Sequence, residues 1–495
     1  MISKEEVGNE MSPGDLFVTL WEAAQSWSPS DRANTTAPSQ AFISAIRGAL
    51  SGSTREEVYQ ALKSALAMPA SSEAAFRGQI LTAMHEIDKA FYAIHPRAAS
   101  IAPSQGGHSP LPYWLVLARE ARQIFGYYSA ASGSRLIARG PLCRASRNPT
   151  AANADSLSDR FMALEVVPMV LSQSGREISV VHKLVPTDAA RGVEPSRRTG
   201  HETVVFLPVA EELEDIVKTE IVRGEQRFVD FRAADDFKAA ERIIQALSSA
   251  GVADIAIASE LIVSEDEADK LSDSLLAGSI GPRILISGSG PTRATKDDQA
   301  WNEARILNGC GSELWRQQKI WPAGITKGLA SDYGLSDPGD GQILEDTAAG
   351  DSFTVIDADG IGRCVVLICQ DLQARPFADD LLRRFQPDWV FIPVLDYGVD
   401  IGRWSHRRAS ELSVLSQARF IVVSSLTLAR WRGMEETPPC GLAIGPASPA
   451  SVNGELASDE DRAVKTAHSN PAQKPGYATL TWRSEGWRKT VVTAE

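Results

Sequence analysis

The spacing of apolar side chains changes character near residue 200. Before it, apolar residues recur at helical intervals. Thr54 and Glu57 form a capping-box pattern ahead of Val58, Leu62 and Leu66. A second stripe runs Phe76, Ile80, Met84, Ile87 and Phe91, and a third runs Leu117, Ala121, Ile124 and Tyr128. Each stripe needs an apolar partner, so the pattern predicts a small helical bundle. Loops rich in Pro, Ser and Gly separate the stripes, notably Pro96–Pro110, and the small, polar stretch Ser132–Ser158 reads as a linker. Met162–Leu171 and Ile178–Leu184 flank Ser172–Glu177, a hairpin pattern. The main boundary is placed at the basic, Pro-containing segment Arg191–His201, giving an N-terminal, mainly helical region over 1–195 and a second domain over 202–495.

From residue 202 the rhythm becomes apolar strand, turn, helix, strand. Thr203–Val209 opens it, and Asp235 or Asp236 is placed to cap a helix carrying Ala240, Ile243 and Leu247. Asp254–Ala258, Arg283–Ser287, Phe353–Asp357, Arg363–Ile368, Asp388–Val394 and Phe420–Ser424 then read as buried strands. Strands alternating with helices predict an α/β architecture. Ser287–Pro291 (SGSGP) lacks the Lys-Ser/Thr ending of a phosphate loop and reads as a flexible turn.

Composition narrows the function classes. With 50 Lys+Arg against 63 Asp+Glu the net charge is −13, which disfavours broad nucleic-acid binding. The Arg-rich pieces Arg191–His201 and Arg403–Arg408 are therefore read as solvated faces. No apolar run approaches the roughly 18–20 residues of a membrane span, and the N-terminus lacks the apolar region of a secretory signal. Five cysteines in 495 residues do not make a disulfide framework, and Cys143, Cys310 and Cys440 lack zinc-ligand spacing. The expectation is a cytoplasmic protein without metal or cofactor.

Three segments carry chemistry. ADIAIASEL ends a strand on Glu260; ELWRQQKIW places Lys319 between tryptophans; GIGRCVVLICQDL delivers Cys369 from a strand into a turn. A thiol of pKa about 8.5 is mostly protonated at neutral pH and needs a base to become a nucleophile. Glu260 is the candidate base, and Lys319 the candidate cation for a developing oxyanion. Cys364, in the same strand, reads as core; Lys327 is the rival lysine; His406 reads as solvent-facing or paired with an acid.

The Glu…Lys…Cys order, with intervals of 59 and 50 residues, resembles the nitrilase, or carbon–nitrogen hydrolase, superfamily over roughly residues 202–490. The motifs that carry it are a glutamate ending a strand, a lysine in a stretch like "yrKxhl" and a cysteine in "GvlICyD"; DWVFIPVL, ARFIVVSSL and CGLAIGPASPASVNGELAS continue it. The resemblance implies an αββα sandwich with an N-terminal mainly helical domain. It also implies a Cys369 thioester, with the Gln370 N–H supporting the oxyanion and a second glutamate, for which Glu345 is the candidate. Gln370-Asp371 stands where nitrile-cleaving members show Trp-Glu, so a small linear amide or carbamoyl substrate is expected instead of a nitrile. Trp315, Trp321, Trp404 and Tyr397 are candidates for the pocket wall, and a homo-oligomer is the family's common assembly.

A second reading belongs to another class. Nitrilase-like domains accompany bacterial reverse transcriptases in phage-defence systems. There the 202–490 part would be a scaffold or a latent effector, with the N-terminal region docking a protein partner.

Overall fold

The computed structural model describes residues 11–95, 111–131, 133–140, 157–185, 201–278, 281–358, 360–416, 418–445, 463–470, 473–483 and 486–489. Pro96–Pro110, Cys143, most of Ser132–Ser158 and nearly all of Arg191–His201 lie outside them. The chain divides into two compact units: Met1–Val170 with His182–Leu184, and Leu171–Val181 with Val185–Glu495.

Helices dominate the first unit, and their starts are written in the sequence. Ser12 and Asp15 form a reciprocal capping box ahead of Pro13–Gln25, and Thr54 and Glu57 form the expected one ahead of Arg55–Leu66. Ser39 and Ser72 cap Gln40–Leu50 and Glu73–Phe91. Val58, Leu62, Ile80, Met84, Ile87 and Phe91 meet in one core with Phe17, Phe42 and Trp114. Burying each large side chain contributes roughly 1.5–3 kcal/mol. Two stripe positions differ from expectation. Phe76 is 47% exposed, and helix Tyr113–Phe125 buries Trp114, Leu115, Ala118 and Ala121 while Ile124 faces solvent. Gly126, at φ +84°, stops that helix before Tyr128. A three-stranded sheet of Ser129–Ala131, Ser134–Ala138 and Leu164–Pro168 completes the unit. Buried Asp88 accepts the amides of Met162, Ala163 and Leu164, tying helix Glu73–Phe91 to that sheet.

The second unit contains two large mixed sheets. One runs, edge to edge, Glu313–Gln318, Gln299–Leu307, Ile284–Lys296, Ile255–Ala258, Thr203–Leu207, Ala478–Arg483 and Gly486–Lys489. The other runs Ala463–Ala467, Gly441–Gly445, Arg419–Ser424, Trp389–Val394, Gly362–Val366, Ser352–Ala358, Arg176–Val185 and Val170–Gln173. Their central strands are parallel, as buried apolar runs demand. The sheets stack face to face, with Ile255–Ala258 against Trp389–Val394 and Arg419–Ser424. At Gly441 an added Cβ would lie 2.3 Å from the Phe206 ring, so only glycine permits that approach. Helices Ala239–Ala250 and Glu265–Gly278 pack on the first sheet, and Trp404–Ser416 packs on the second. The result is a mixed α/β core with the layer order α, β, β, α.

Several expected elements shift. The apolar stretch 162–171 breaks in two: Leu164–Pro168 stays with the first unit, and Val170–Gln173 pairs with Arg176–Val185 across Ser174-Gly175. Both turn residues take positive φ, +51° and +77°, as a tight hairpin requires. By compactness most of this hairpin, Leu171–Val181 and Val185, groups with the second unit, while Val170 and His182–Leu184 group with the first. Helix Ala239–Ala250 begins after Lys238 with no side-chain cap, leaving Asp235 and Asp236 in a preceding turn. Ser287–Pro291 is not a flexible turn but part of strand Ile284–Lys296.

Candidate active site

Glu260 follows the fully buried strand Ile255–Ala258. Neighbouring glycines let a second backbone press against its segment. A Cβ on Gly288 would meet the Ser259 carbonyl oxygen at 2.4 Å, and one on Gly290 the Val263 oxygen at 2.3 Å. In that space the Ser289 amide donates to Ser259 O and the Val263 amide to Ser289 O, at 3.3 and 3.1 Å. The Glu260 carboxylate, 1% exposed, is fully engaged. Its Oε1 accepts from Lys319 Nζ at 2.7 Å and Asn302 Nδ2 at 3.0 Å, and its Oε2 from the Leu395 amide at 2.8 Å. Burial pushes its pKa up against the pull of Lys319, and the charge of Glu345 adds to the rise.

Lys319 emerges from edge strand Glu313–Gln318. Its amide donates to Asn302 O at 2.8 Å and its carbonyl accepts from the Gly350 amide at 2.9 Å, which fixes the backbone on both sides. At 1% exposure its ammonium has lost its water, and two carboxylates replace it: Glu260 and Glu345. Burial works against the charge, yet the two glutamates prevail and hold its pKa well above the usual lysine value. Lys327 pairs with Asp337 at the surface, its side chain 69% exposed, far from such an environment.

Glu345 ends strand Ile343–Glu345, which pairs in parallel with Gln226–Ala233 of the hairpin Ile216–Ala233. Its Oε1 accepts from Asn302 Nδ2 at 3.1 Å; its Oε2 accepts from Lys319 and from the Ala323 amide at 2.9 Å. The hairpin also anchors the next residue, since Arg223 pairs with Asp346.

Cys369 lies just beyond strand Gly362–Val366, in a turn at φ +48° that a non-glycine residue rarely adopts. This sharp elbow leaves the side chain partly exposed while the preceding Cys364–Ile368 is buried. The thiol lies within electrostatic reach of Glu260, Lys319 and Glu345. Burial and then the Glu260 charge raise its pKa well above the usual thiol value, with Lys319 opposing. Two carboxylates against one ammonium leave the surroundings net negative, so the resting sulfur is a thiol. Among the described residues no cluster of three or more His, Cys, Asp or Glu is disposed to hold a metal ion.

The structure therefore brings Glu260, Lys319, Glu345 and Cys369 together, with Gln370 next in the turn. Sequence reading assigned no role to several neighbours. Asn302 donates to both glutamates. Asp371, fully buried, accepts the Ile320 and Trp321 amides at 3.0 and 2.9 Å and the Ile368 amide at 3.2 Å, joining the lysine segment to the elbow. Burial raises its pKa to about 7. Asp396, one residue beyond the Leu395 amide that holds Glu260, accepts from Arg403 at 2.9 Å and from the Trp404 indole at 2.7 Å. Arg403 and Arg432 both lie over the Tyr397 ring, 3.6 and 3.9 Å from its centre. Burial and then the Asp396 charge push the Tyr333 pKa above the usual tyrosine value. Asp371 stood in a motif, two residues past the cysteine, and Trp404 and Tyr397 were pocket-wall candidates; the others come from distant segments.

The remaining expectations divide. Arg403–Arg408 is not a solvated face: Arg403 binds Asp396 and Arg408, 6% exposed, pairs with Asp379 and Glu411. His406 Nδ1 accepts the Gly402 amide at 3.2 Å. Trp315 is 2% exposed within its strand, and Trp321 packs on Phe377 with ring centres 4.7 Å apart.

No family model matches the chain, and no curated protein matches its sequence. Among solved structures the chain is similar to Nit3 of Saccharomyces cerevisiae, a member of branch 10 of the nitrilase superfamily. Identity is 16% and the TM-score 0.32, over 50% of this chain and 83% of that one. It is also similar to an amidase from Nesterenkonia sp., at 14% identity and TM-score 0.34, over 52% and 86% of the two chains. For the Caenorhabditis elegans NitFhit protein the values are 13% and 0.32, over 57% and 61%.

Proposed function

We propose that the second unit is a thiol-dependent amidohydrolase that cleaves a small non-peptide amide or carbamoyl C–N bond. The observation that carries the reading is the convergence of one buried ammonium on two buried carboxylates beside a thiol at a strained elbow. Burying three ionised groups is costly unless they pair, and such perturbed clusters concentrate at reactive sites.

The proposed chemistry is supported by that convergence. Because Cys369 rests as a thiol, its proton must leave as sulfur attacks, and Glu260, the neighbouring carboxylate, is the acceptor. A C–S bond forms to the substrate carbonyl carbon, and the oxyanion is stabilised by Lys319 and the Gln370 N–H. Collapse breaks the C–N bond, and Glu260 returns its proton to the departing ammonia or amine. Water then gives a proton to Glu260 and attacks the thioester; C–S cleavage frees the acid and restores the thiol. Glu345 holds Lys319 from its other side. No membrane partner is invoked: among the described residues no helix is long and apolar enough to cross a bilayer.

The test is ammonia release from a panel of small amides and carbamoyl compounds, comparing wild type with Cys369→Ala. Turnover lost in the variant supports the assignment. A panel inert with wild type, or turnover surviving in the variant, overturns it.

A further inference from the structure

We propose that Asn302 is a positioning residue that bridges the Glu260 and Glu345 side chains and so keeps Glu260 placed and able to receive the Cys369 proton. This rests on the reading of Cys369 as nucleophile and Glu260 as its base.

Two bridges join the carboxylates, and only one of them is the obvious ion pair. Lys319 Nζ spans Glu260 Oε1 and Glu345 Oε2. Asn302 Nδ2 spans Glu260 Oε1 and Glu345 Oε1, at 3.0 and 3.1 Å. Lys319 and Asn302 thus close a ring of alternating donors and acceptors. The amide orientation is fixed by chemistry, since a flip would aim Oδ1 at two carboxylate oxygens. Asn302 pays for this placement, because its Oδ1 is buried with no donor in reach. Its backbone is equally committed. Its amide donates to Thr347 Oγ1 at 2.8 Å, and its carbonyl accepts the Lys319 amide at 2.8 Å.

The electrostatic need is plain. Glu260 faces Lys319, Glu345 and Cys369, and Glu345 has Asp230 nearby as a further acid. One ammonium cannot neutralise both glutamates. A second cation would leave Glu260 too weak a base, whereas an uncharged donor stabilises its ionised form without removing the negative field. A side-chain amide, with two N–H bonds on one nitrogen, fits that requirement.

The experiment measures Cys369 alkylation by iodoacetamide in the full chain between pH 5 and 10, read by intact mass. In wild type the rate falls on the acid side as Glu260 takes a proton. Asn302→Leu, close in size but without donors, is expected to move that acid-side midpoint up by about one pH unit, slowing alkylation roughly tenfold below it. Asn302→Asp, the nearest isostere, adds a third carboxyl and is expected to shift further. Asn302→Ser, with one donor, falls between and carries the test if the aspartate variant does not fold. Thr347→Val loosens the same strand without touching either carboxylate and is expected to leave the midpoint in place. Unshifted midpoints in the Asn302 variants, or an equal shift in Thr347→Val, overturn the proposal. An unreactive wild-type Cys369, or one without an acid-side fall, instead defeats the nucleophile–base reading beneath it.

Discussion

Cys364 and Cys369 stand five residues apart on one strand and its turn, and both thiols have pKa values raised well above the usual range. Burial is the first cause for each. Their surroundings differ in what else is present. Cys364 is enclosed by the sheet, its Sγ 3.6 Å from the Gly362 carbonyl oxygen. Cys369 is turned out of the strand by a left-handed residue and meets Glu260, with Lys319 beyond. A low pKa is therefore not what separates a nucleophile from a core thiol here. Charged neighbours do not separate them either, since Asp388, Asp357 and Arg283 act on Cys364. The separation comes from the elbow that turns Cys369 out of the strand and leaves it partly exposed beside Glu260 and Lys319.

The largest effect expected from breaking that difference is on the base. Glu260→Gln keeps the shape but removes the proton acceptor, and it should slow Cys369 alkylation and any turnover by about 10²–10⁴. Stopped-flow or intact-mass kinetics reads it directly. Next, Lys319→Met leaves two buried carboxylates without their ammonium. The expected cost is about 3–5 kcal/mol of unfolding free energy, measured by denaturant titration at neutral pH and reduced in acid, where the carboxylates protonate.

Asp371 offers a pH signature. Its folded-state value of about 7 lies above the ordinary 3.8, so the folded protein binds that proton more tightly than the unfolded chain. Its contribution to stability is fully present below the ordinary value and is lost as pH rises toward 7. The advantage of wild type over Asp371→Asn should therefore shrink between those pH values in thermal melts. An advantage that grows with pH contradicts the assignment.

Smallest is the control thiol. Cys364→Ala deletes one buried sulfur from a packed strand, with an expected cost of about 1–2 kcal/mol and no change in alkylation rate at Cys369.

Those contrasts mark how much of the molecule was legible beforehand. The strands ending at Glu260 and preceding Cys369 could be read because each is a short, unbroken apolar run next to a polar residue. Lys319 could be separated from Lys327 only through its motif, because local sequence does not reveal which lysine a distant carboxylate will bury. Asn302 left no comparable signal: its role exists only once strand Gln299–Leu307 lies between the segments carrying Glu260 and Glu345. Ser287–Pro291 misled for a physical reason, since glycines that look like a turn here serve close backbone packing. The place of hairpin 170–185 was hidden because it completes a sheet whose other strands begin far downstream. A truncation at 195 would remove two strands from that sheet.

The most direct measurement is the position of the first adduct when one equivalent of iodoacetamide meets the native chain, located by peptide mass mapping. The account predicts that the label lies on Cys369 and that Glu260→Gln suppresses it there. A first label on the partly exposed Cys310, with Cys369 unmodified, contradicts it.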